Sequence, residues 1–302
     1  MKAIKWIYKI LFGLSILLIC CAYQLNCQSK FSVAFAQSAA DDWRQGQTRS
    51  FEFVLGADIK YNFHIDTFAF AWSLKANMGC MYEKREEYND FFLLPTDNDF
   101  YSELTVKYPI GFVVDPFFSA NIKTQITESF KIYNKVRTRT AHFRDPITTQ
   151  QSLGFTLGWR DKSEFANTRM GVSLKQIRAD NFTALTDDYT TYNIKEKYKS
   201  ETGISIKSQA NLLLDSSIVL KPTLDLFSEF KDLETWTVCL ENELQVNLWS
   251  MFALILKFSI NYDRKQSLEL QYRESSRIGA IIFFGILYLF FYYRISSDGA
   301  VS

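Results

Sequence analysis

From Phe51 to Ile65 the chain alternates with almost no interruption. Phe51, Phe53, Leu55, Ala57, Ile59, Tyr61, Phe63 and Ile65 occupy the odd positions, and Glu52, Asp58, Lys60, Asn62 and His64 fall among the even ones. Period two is the mark of a strand with one apolar face. Beyond Asp66 the phase flips: Phe68, Phe70, Trp72, Leu74, Ala76 and Met78 oppose Ala69, Ala71, Ser73, Lys75 and Asn77. A tight reversal near Asp66 that joins two antiparallel strands produces such a flip.

The pattern continues. Leu104, Val106 and Tyr108 oppose Glu103, Thr105 and Lys107; after a reversal at Asp115-Pro116, Phe118, Ala120 and Ile122 oppose Ser119, Asn121 and Lys123. Leu153, Phe155, Leu157 and Trp159 mark another strand, and further ones centre on Met170-Val172-Leu174, Ile204-Ile206, Leu220-Leu224-Leu226 and Val238-Leu240-Leu244. Phe252 to Tyr262 and about Ser267 to Phe284 close a series of eleven. Strands of about ten residues exceed those of soluble sandwiches and match a tilted bilayer crossing. Unpaired backbone is not tolerated in hydrocarbon, so such a sheet must close, and single-chain barrels of this type have even strand numbers.

Connection lengths supply the missing strand. Reversals near residues 66, 114, 162, 214 and 249 are tight, whereas 82–98, 131–150 and 179–198 read as long loops. With short turns periplasmic and long ones external, Phe51 begins an inward-running strand, so another must precede it. Residues 30–38, where Phe31, Val33 and Phe35 alternate with Ser32, Ala34 and Ala36, are the candidate. The expectation is an all-β, transmembrane, antiparallel up-and-down barrel of twelve strands over residues 30–286, followed by an irregular tail. The nearly continuous apolar run Ile278–Tyr293 reads as the closing strand, paired with the strand near Phe31; a single helix anchoring a periplasmic sheet is the alternative.

Composition agrees with this picture. The 302 residues are 47% hydrophobic and 16% aromatic, with 27 Phe and 16 Tyr, while the mean hydropathy of −0.10 is too polar for a helical membrane protein. Lys plus Arg (34) nearly balance Asp plus Glu (33), so no global field attracts nucleic acid. Lys2, Lys5 and Lys9 precede the apolar run Ile10–Cys21, the form of an export signal. Cleavage after Ala22 or after Ala36 satisfies the small-x-small rule; Ala22 is preferred because it spares the first strand. A lipoprotein reading of Cys20 or Cys21 lacks the small residue expected before the cysteine. The domains expected are thus a signal peptide, 1–22, and one barrel, 23–302, whose partners are the lipid bilayer and the outer-membrane insertion machinery.

Candidate chemistry is sparse, and no cofactor or metal site is expected. Cys27, Cys80 and Cys239 lack metal spacing; isolated thiols are favoured over a Cys80–Cys239 bridge. Lumen-facing candidates are Glu103, Lys107, Lys123, Arg169, Lys175, Lys207, Asp225, Glu229, Glu241 and Glu243, which read more readily as a mixed-sign network filling the lumen than as a selective ion path. Glu241 and Glu243, roughly 7 Å apart on one strand face, are expected to meet lysines of neighbouring strands. Asp97-Asn98-Asp99 in the expected 82–98 loop lacks the glycine and distal glutamate of a calcium loop. His64 beside a turn and His142 in a loop are poor partners for a hydrolase serine.

Several stretches resemble an uncharacterised family of outer-membrane barrels known as the domain-of-unknown-function 3078 family. They are Asp42-Trp43-Arg44-Gln45-Gly46-Gln47, Lys123-Thr124-Gln125-Ile126, Phe143-Arg144-Asp145-Pro146 with Gln151-Ser152-Leu153-Gly154, Arg169-Met170-Gly171, and Arg273-Glu274 with Ile278-Gly279. Gln47 stands where the family has a second glycine. The resemblance spans about 31–286 and implies a barrel without supplying an activity. Three functions remain open: a small-solute or ion channel, a structural or assembly component with a filled lumen, and, ranked last, a membrane-embedded hydrolase.

Overall fold

A computed structural model of the chain describes residues 26–40, 48–85, 90–110, 114–133, 136–161, 164–187, 195–249, 252–263 and 271–283. The strands in chain order are β1 (Asn26–Ala40), β2 (Thr48–Ile65), β3 (Phe68–Arg85), β4 (Asp90–Lys107), β5 (Val114–Thr124), β6 (Ser129–Tyr133) and β7 (Val136–Ala141). They continue with β8 (Ile147–Asp161), β9 (Glu164–Arg178), β10 (Tyr198–Asp215), β11 (Ile218–Glu229), β12 (Asp232–Asn247), β13 (Phe252–Tyr262) and β14 (Gln271–Phe283). Twelve of them form one closed antiparallel barrel, and β6–β7 make a separate hairpin. Strands about 4.8 Å apart and tilted by about 40° close at a backbone diameter of roughly 24 Å.

Register fixes which face of each strand lines the lumen. Directly opposed residues share a face, and Asp58 of β2 opposes Lys30 of β1 and Lys75 of β3. Continuing round the barrel, Glu103 opposes Asn121, Ser119 opposes Ser152, Arg169 opposes Lys207, and Asp225 opposes Cys239. All of these point inward. The apolar set of each strand therefore points outward, where Leu153, Phe155 and Ile278 are 66%, 61% and 57% exposed. Such a girdle is stable only in contact with lipid. Aromatic residues gather at its edges, with Trp249 against Phe252 at one turn and Tyr61, Phe63 and Phe70 stacked beside another.

Closure falls where the sequence suggests: β14 pairs with β1, Lys30 opposite Phe283 and Phe35 opposite Ile278. Asp66, at φ 50°, takes the left-handed conformation that the two-residue turn between β2 and β3 requires and that Asp tolerates.

Four local expectations are corrected. The stretch 82–98 is not a loop: β3 runs to Arg85, paired with β2 throughout, and β4 starts at Asp90, so Asp97–Asp99 lie within β4. The stretch 131–150 contains most of the β6–β7 hairpin. Asp115 and Pro116 are not the reversal but sit inside β5, where Asp115 accepts a hydrogen bond from the amide of Ile110 (3.1 Å) and closes the turn. The first strand begins at Asn26, not 30. Alternation alone misses strand segments lacking an apolar set, because pairing to a neighbour holds them extended. The signal region, Cys20, Cys21, the Asp42–Gln47 motif, Glu86, Glu87 and residues 284–302 lie outside the described residues.

Candidate functional site: the charged lumen

One wall of the lumen is built from very small residues. Phe117 opposes Gly154, which opposes Gly171; a Cβ on Gly154 would stand 2.1 Å from the Met170 carbonyl oxygen, so only glycine lets the strands approach this closely. The adjacent row is Ser119, Ser152, Ser173 and Gly203. Ser173 Oγ lies 2.6 Å from Ser152 Oγ and also bonds Ser205. This thin wall leaves room for a long side chain to lie across it.

Arg169 fills that room. Its guanidinium sits 5.9 Å from the centroid of the buried Phe117 ring and donates from Nη1 to Thr105 Oγ1 (2.7 Å). Nη1 and Nη2 reach Glu103 Oε1 and Oε2 at 2.9 and 3.1 Å, the two-pronged geometry that makes Arg–carboxylate pairs strong. Lys207 donates to Glu103 Oε2 (3.2 Å) and to the Tyr101 hydroxyl, with its ammonium 4.8 Å from the Tyr101 ring centroid. Asp225 opposes Lys207 and lines the same niche. Glu103 is on β4, Arg169 on β9 and Lys207 on β10, so these bonds cut across the barrel past β5 and β8.

The other side carries two further clusters. Glu243 takes Lys221 at 3.0 Å, Lys257 at 3.5 Å and Lys30 at 3.9 Å; Lys221 and Lys30 also donate to Gln245 Oε1. Arg277 donates from Nε and Nη2 to the two oxygens of Glu52 (3.2 and 3.0 Å) and from Nη1 to Asp97. On its short-turn side the inward residues Ala253, Ile255 and Ile281 pack together. Toward the mouth at the long-loop end, Glu201 pairs with Lys175 (3.4 Å) and Lys199 (3.0 Å), and Lys175 stands 5.2 Å from the Phe227 ring centroid.

Between these braces, Lys75 of β3 and Glu241 of β12 point inward from mid-strand positions and Lys123 from the penultimate position of β5, and all three are nevertheless exposed. Side chains in a filled lumen would be buried at that depth, so water reaches this stretch. Glu241 faces Thr223 and Ser259 rather than lysines, unlike Glu243. Lys107, half-buried at the C-terminal end of β4, and Glu229, at the C-terminal end of β11, mark the two ends of the lumen; Glu229 meets the exposed Lys231 at 4.0 Å. Cys239 lies inward and Cys80, opposite the outward Phe53, lies outward; both thiols are free. Sequence reasoning did not single out Lys30, Glu201, Lys221 and Lys257, and it missed Arg277 and Glu52. The signal of the last two was present, since both occupy the polar phase of their strands.

The connections at the long-loop end of the barrel are tied together by Asp145. Its carboxylate accepts hydrogen bonds from the amides of Asp180 (2.9 Å), Asn181 (2.9 Å) and Phe182 (3.5 Å) and from Asn181 Nδ2 (3.1 Å). Burial opposes ionisation there, but the four donors outweigh it and hold the carboxyl below its usual range. The segment so anchored carries a short 3-10 turn, Thr183–Leu185, and brings Ala184, Leu185 and Asp187 against Lys175, Glu201 and Phe227 at the lumen mouth. His142 is exposed in this loop region with Nδ1 3.1 Å from the Phe143 carbonyl, and His64 is exposed beside the Asp66 turn.

Comparison with known proteins adds a family. Residues 35–130 match the family described as "Protein of unknown function (DUF3078)". The DUF3078 match runs from the end of β1 to the start of β6, and it is the family that the motifs resemble. No curated protein sequence matches the chain. Among solved structures, the translocator domain of the autotransporter NalP from Neisseria meningitidis is similar at 9% identity and a TM-score of 0.38, over 91% of this chain and 95% of that one. The COG4313 outer membrane channel from Pseudomonas putida F1 is similar at 6% identity and a TM-score of 0.40, over 85% and 95%. Likeness at this level says nothing of activity.

Proposed function

We propose that this chain is an exported outer-membrane barrel, without enzymatic activity, whose lumen is a narrow hydrated passage for small hydrophilic solutes or ions. The observation that carries this reading is the exposure of Lys75 and Glu241 on the inner wall at mid-strand depth, with Lys123 exposed near the end of β5. The mixed signs favour weak charge selectivity, and the side chains that cross the barrel keep the passage narrow. Export rests on the basic-then-apolar residues 2–21, with cleavage after Ala22; cleavage after Ala36 would remove more than half of β1, which extends from Asn26 to Ala40. The outer membrane follows from the lipid-facing girdle of a closed sheet, and assembly there implies the insertion machinery as a transient partner.

A second reading, a structural component with a closed lumen, is favoured by the Glu103–Arg169–Lys207 and Arg277–Glu52–Asp97 braces. Planar-bilayer recordings separate the two. Purified protein should give small, discrete steps in KCl, and Lys123→Cys or Glu241→Cys in a background lacking the native cysteines should lose conductance on reaction with a bulky, water-soluble thiol reagent. Silent bilayers containing demonstrably folded barrel, or steps untouched by modification at both positions, would refute the passage.

A further inference from the structure

The seam where the barrel closes differs from the other strand pairings. β1 pairs with β2 over fifteen positions, to Ala40, and β14 pairs with β13 over ten, from Gln271. Yet, among the described residues, β1 and β14 pair with each other from Lys30 opposite Phe283 only as far as Phe35 opposite Ile278. Beyond that point, among the described residues, both strands continue toward the outer side of the membrane, extended and paired on their far sides but not to one another. The β4–β5 contact also stops early, at Phe100 opposite Thr124, but there Asn98 takes the place of the ladder. Its side chain accepts from the amides of Ile126 and Thr127 and donates to the Thr127 carbonyl.

Backbone left unpaired at the level of hydrocarbon is costly, so a gap there must either zip up or be occupied. Its two faces differ in chemistry. Outside stand Phe35 and Phe51, 47% and 48% exposed, with the Phe53 ring tilted against Phe35 at 5.2 Å between centroids. Inside, immediately past the last paired position, stands Arg277, whose bonds to Glu52 on β2 and Asp97 on β4 pass behind β1. These ion pairs hold β14 to the far side of the seam where main-chain pairing does not.

We infer that the outer half of the β1–β14 seam is a lateral portal between the lumen and the outer-leaflet hydrocarbon, latched from within by Arg277. Its occupant is an amphiphile with a polar head on the charged lumen side and an acyl chain on the lipid side. This deepens the passage reading and rests on it for the lumen half of the route, whereas the seam itself is tested separately.

The test is cross-linking in membranes, in a background lacking Cys27, Cys80 and Cys239. Val33→Cys with Ala280→Cys, already opposed, should oxidise readily. Gln37→Cys with Ser276→Cys, the pair that extending the same register would oppose, should oxidise about tenfold more slowly, because disulfides demand Cα atoms within about 7 Å. Arg277→Gln should slow the second pair further and leave the first unchanged, and Arg277→Lys should fall between; the heat-shifted gel mobility of a closed barrel verifies folding in each variant. Once locked, Gln37→Cys/Ser276→Cys should block transfer of a fluorescent dodecyl amphiphile from the outer leaflet while KCl conductance persists. Equal oxidation of the two pairs, or amphiphile transfer untouched by the lock, would overturn the portal. Absent KCl conductance with slow outer-pair oxidation would instead sink only the passage reading.

Discussion

The sharpest energetic difference within the lumen lies between two glutamates, and replacing each with glutamine measures it. Glu103→Gln keeps the shape of the side chain but leaves Arg169 and Lys207, whose side chains are 6% and 18% exposed, facing a neutral amide. Removing one member of a buried ion pair typically costs about 3 to 5 kcal/mol, most of it the penalty of a stranded charge. Glu243 also holds lysines, but it is 23% exposed and its partners Lys30, Lys221 and Lys257 are 21%, 32% and 37% exposed. Water screens that cluster and solvates the lysines left behind, so Glu243→Gln should cost only about 1 kcal/mol. Reversible urea titration of the barrel in liposomes reads both values. Equal costs, or a larger one at Glu243, would mean that the Glu103 niche is as wet as the rest of the lumen, and the assignment of a dry brace beside a hydrated passage would fail.

Other expectations follow from face, loop and thiol positions. Leu256→Arg, facing lipid near mid-strand, should cost about 2 to 4 kcal/mol and Ser259→Arg, facing the lumen, far less in the same titration; the reverse order would invert the faces. A water-soluble thiosulfonate should modify Cys239 and spare Cys80 in bilayer-embedded Cys27→Ser protein, as read by mass spectrometry, and modification of Cys80 alone would refute the register. The Asp145 clasp should hold at neutral pH and loosen only as pH falls through its lowered pKa, below the ordinary 3.8, because a depressed carboxyl contributes stability while ionised and loses it on protonation. Hydrogen exchange at the amides of residues 180–182 should accelerate there, and Asp145→Asn should show fast exchange at every pH. Cysteines placed at His142 and Lys231 should react with an impermeant reagent on intact cells, and those at Asp66 and Ser216 should not.

The amino-acid sequence by itself determined the faces of the strands. Every apolar set named from alternation, from Phe51 to Ile65 through Phe252 to Tyr262, points outward, because in a sheet with hydrocarbon on one side a slip of one residue would put Lys60 or Lys257 into lipid. Even parity and the alternation of turns also sufficed to place a strand before Phe51 and to pair it with the segment containing Ile278. What alternation could not carry is whatever depends on residues far apart in the chain. Glu103 and Arg169 are 66 positions apart, and Arg277 and Glu52 are 225; their union depends on the tilt and stagger that bring β4 to face β9 and β14 to face β2. The continuation of β4 through Asp97–Asp99 was equally hidden, since these polar residues carry no apolar set and are held extended by pairing to β3. The end of the β1–β14 pairing at Phe35 opposite Ile278 is the plainest case. Each strand reads as continuous in sequence, and only closure of the ring decides how far the first strand and the last, which no turn joins, remain in register.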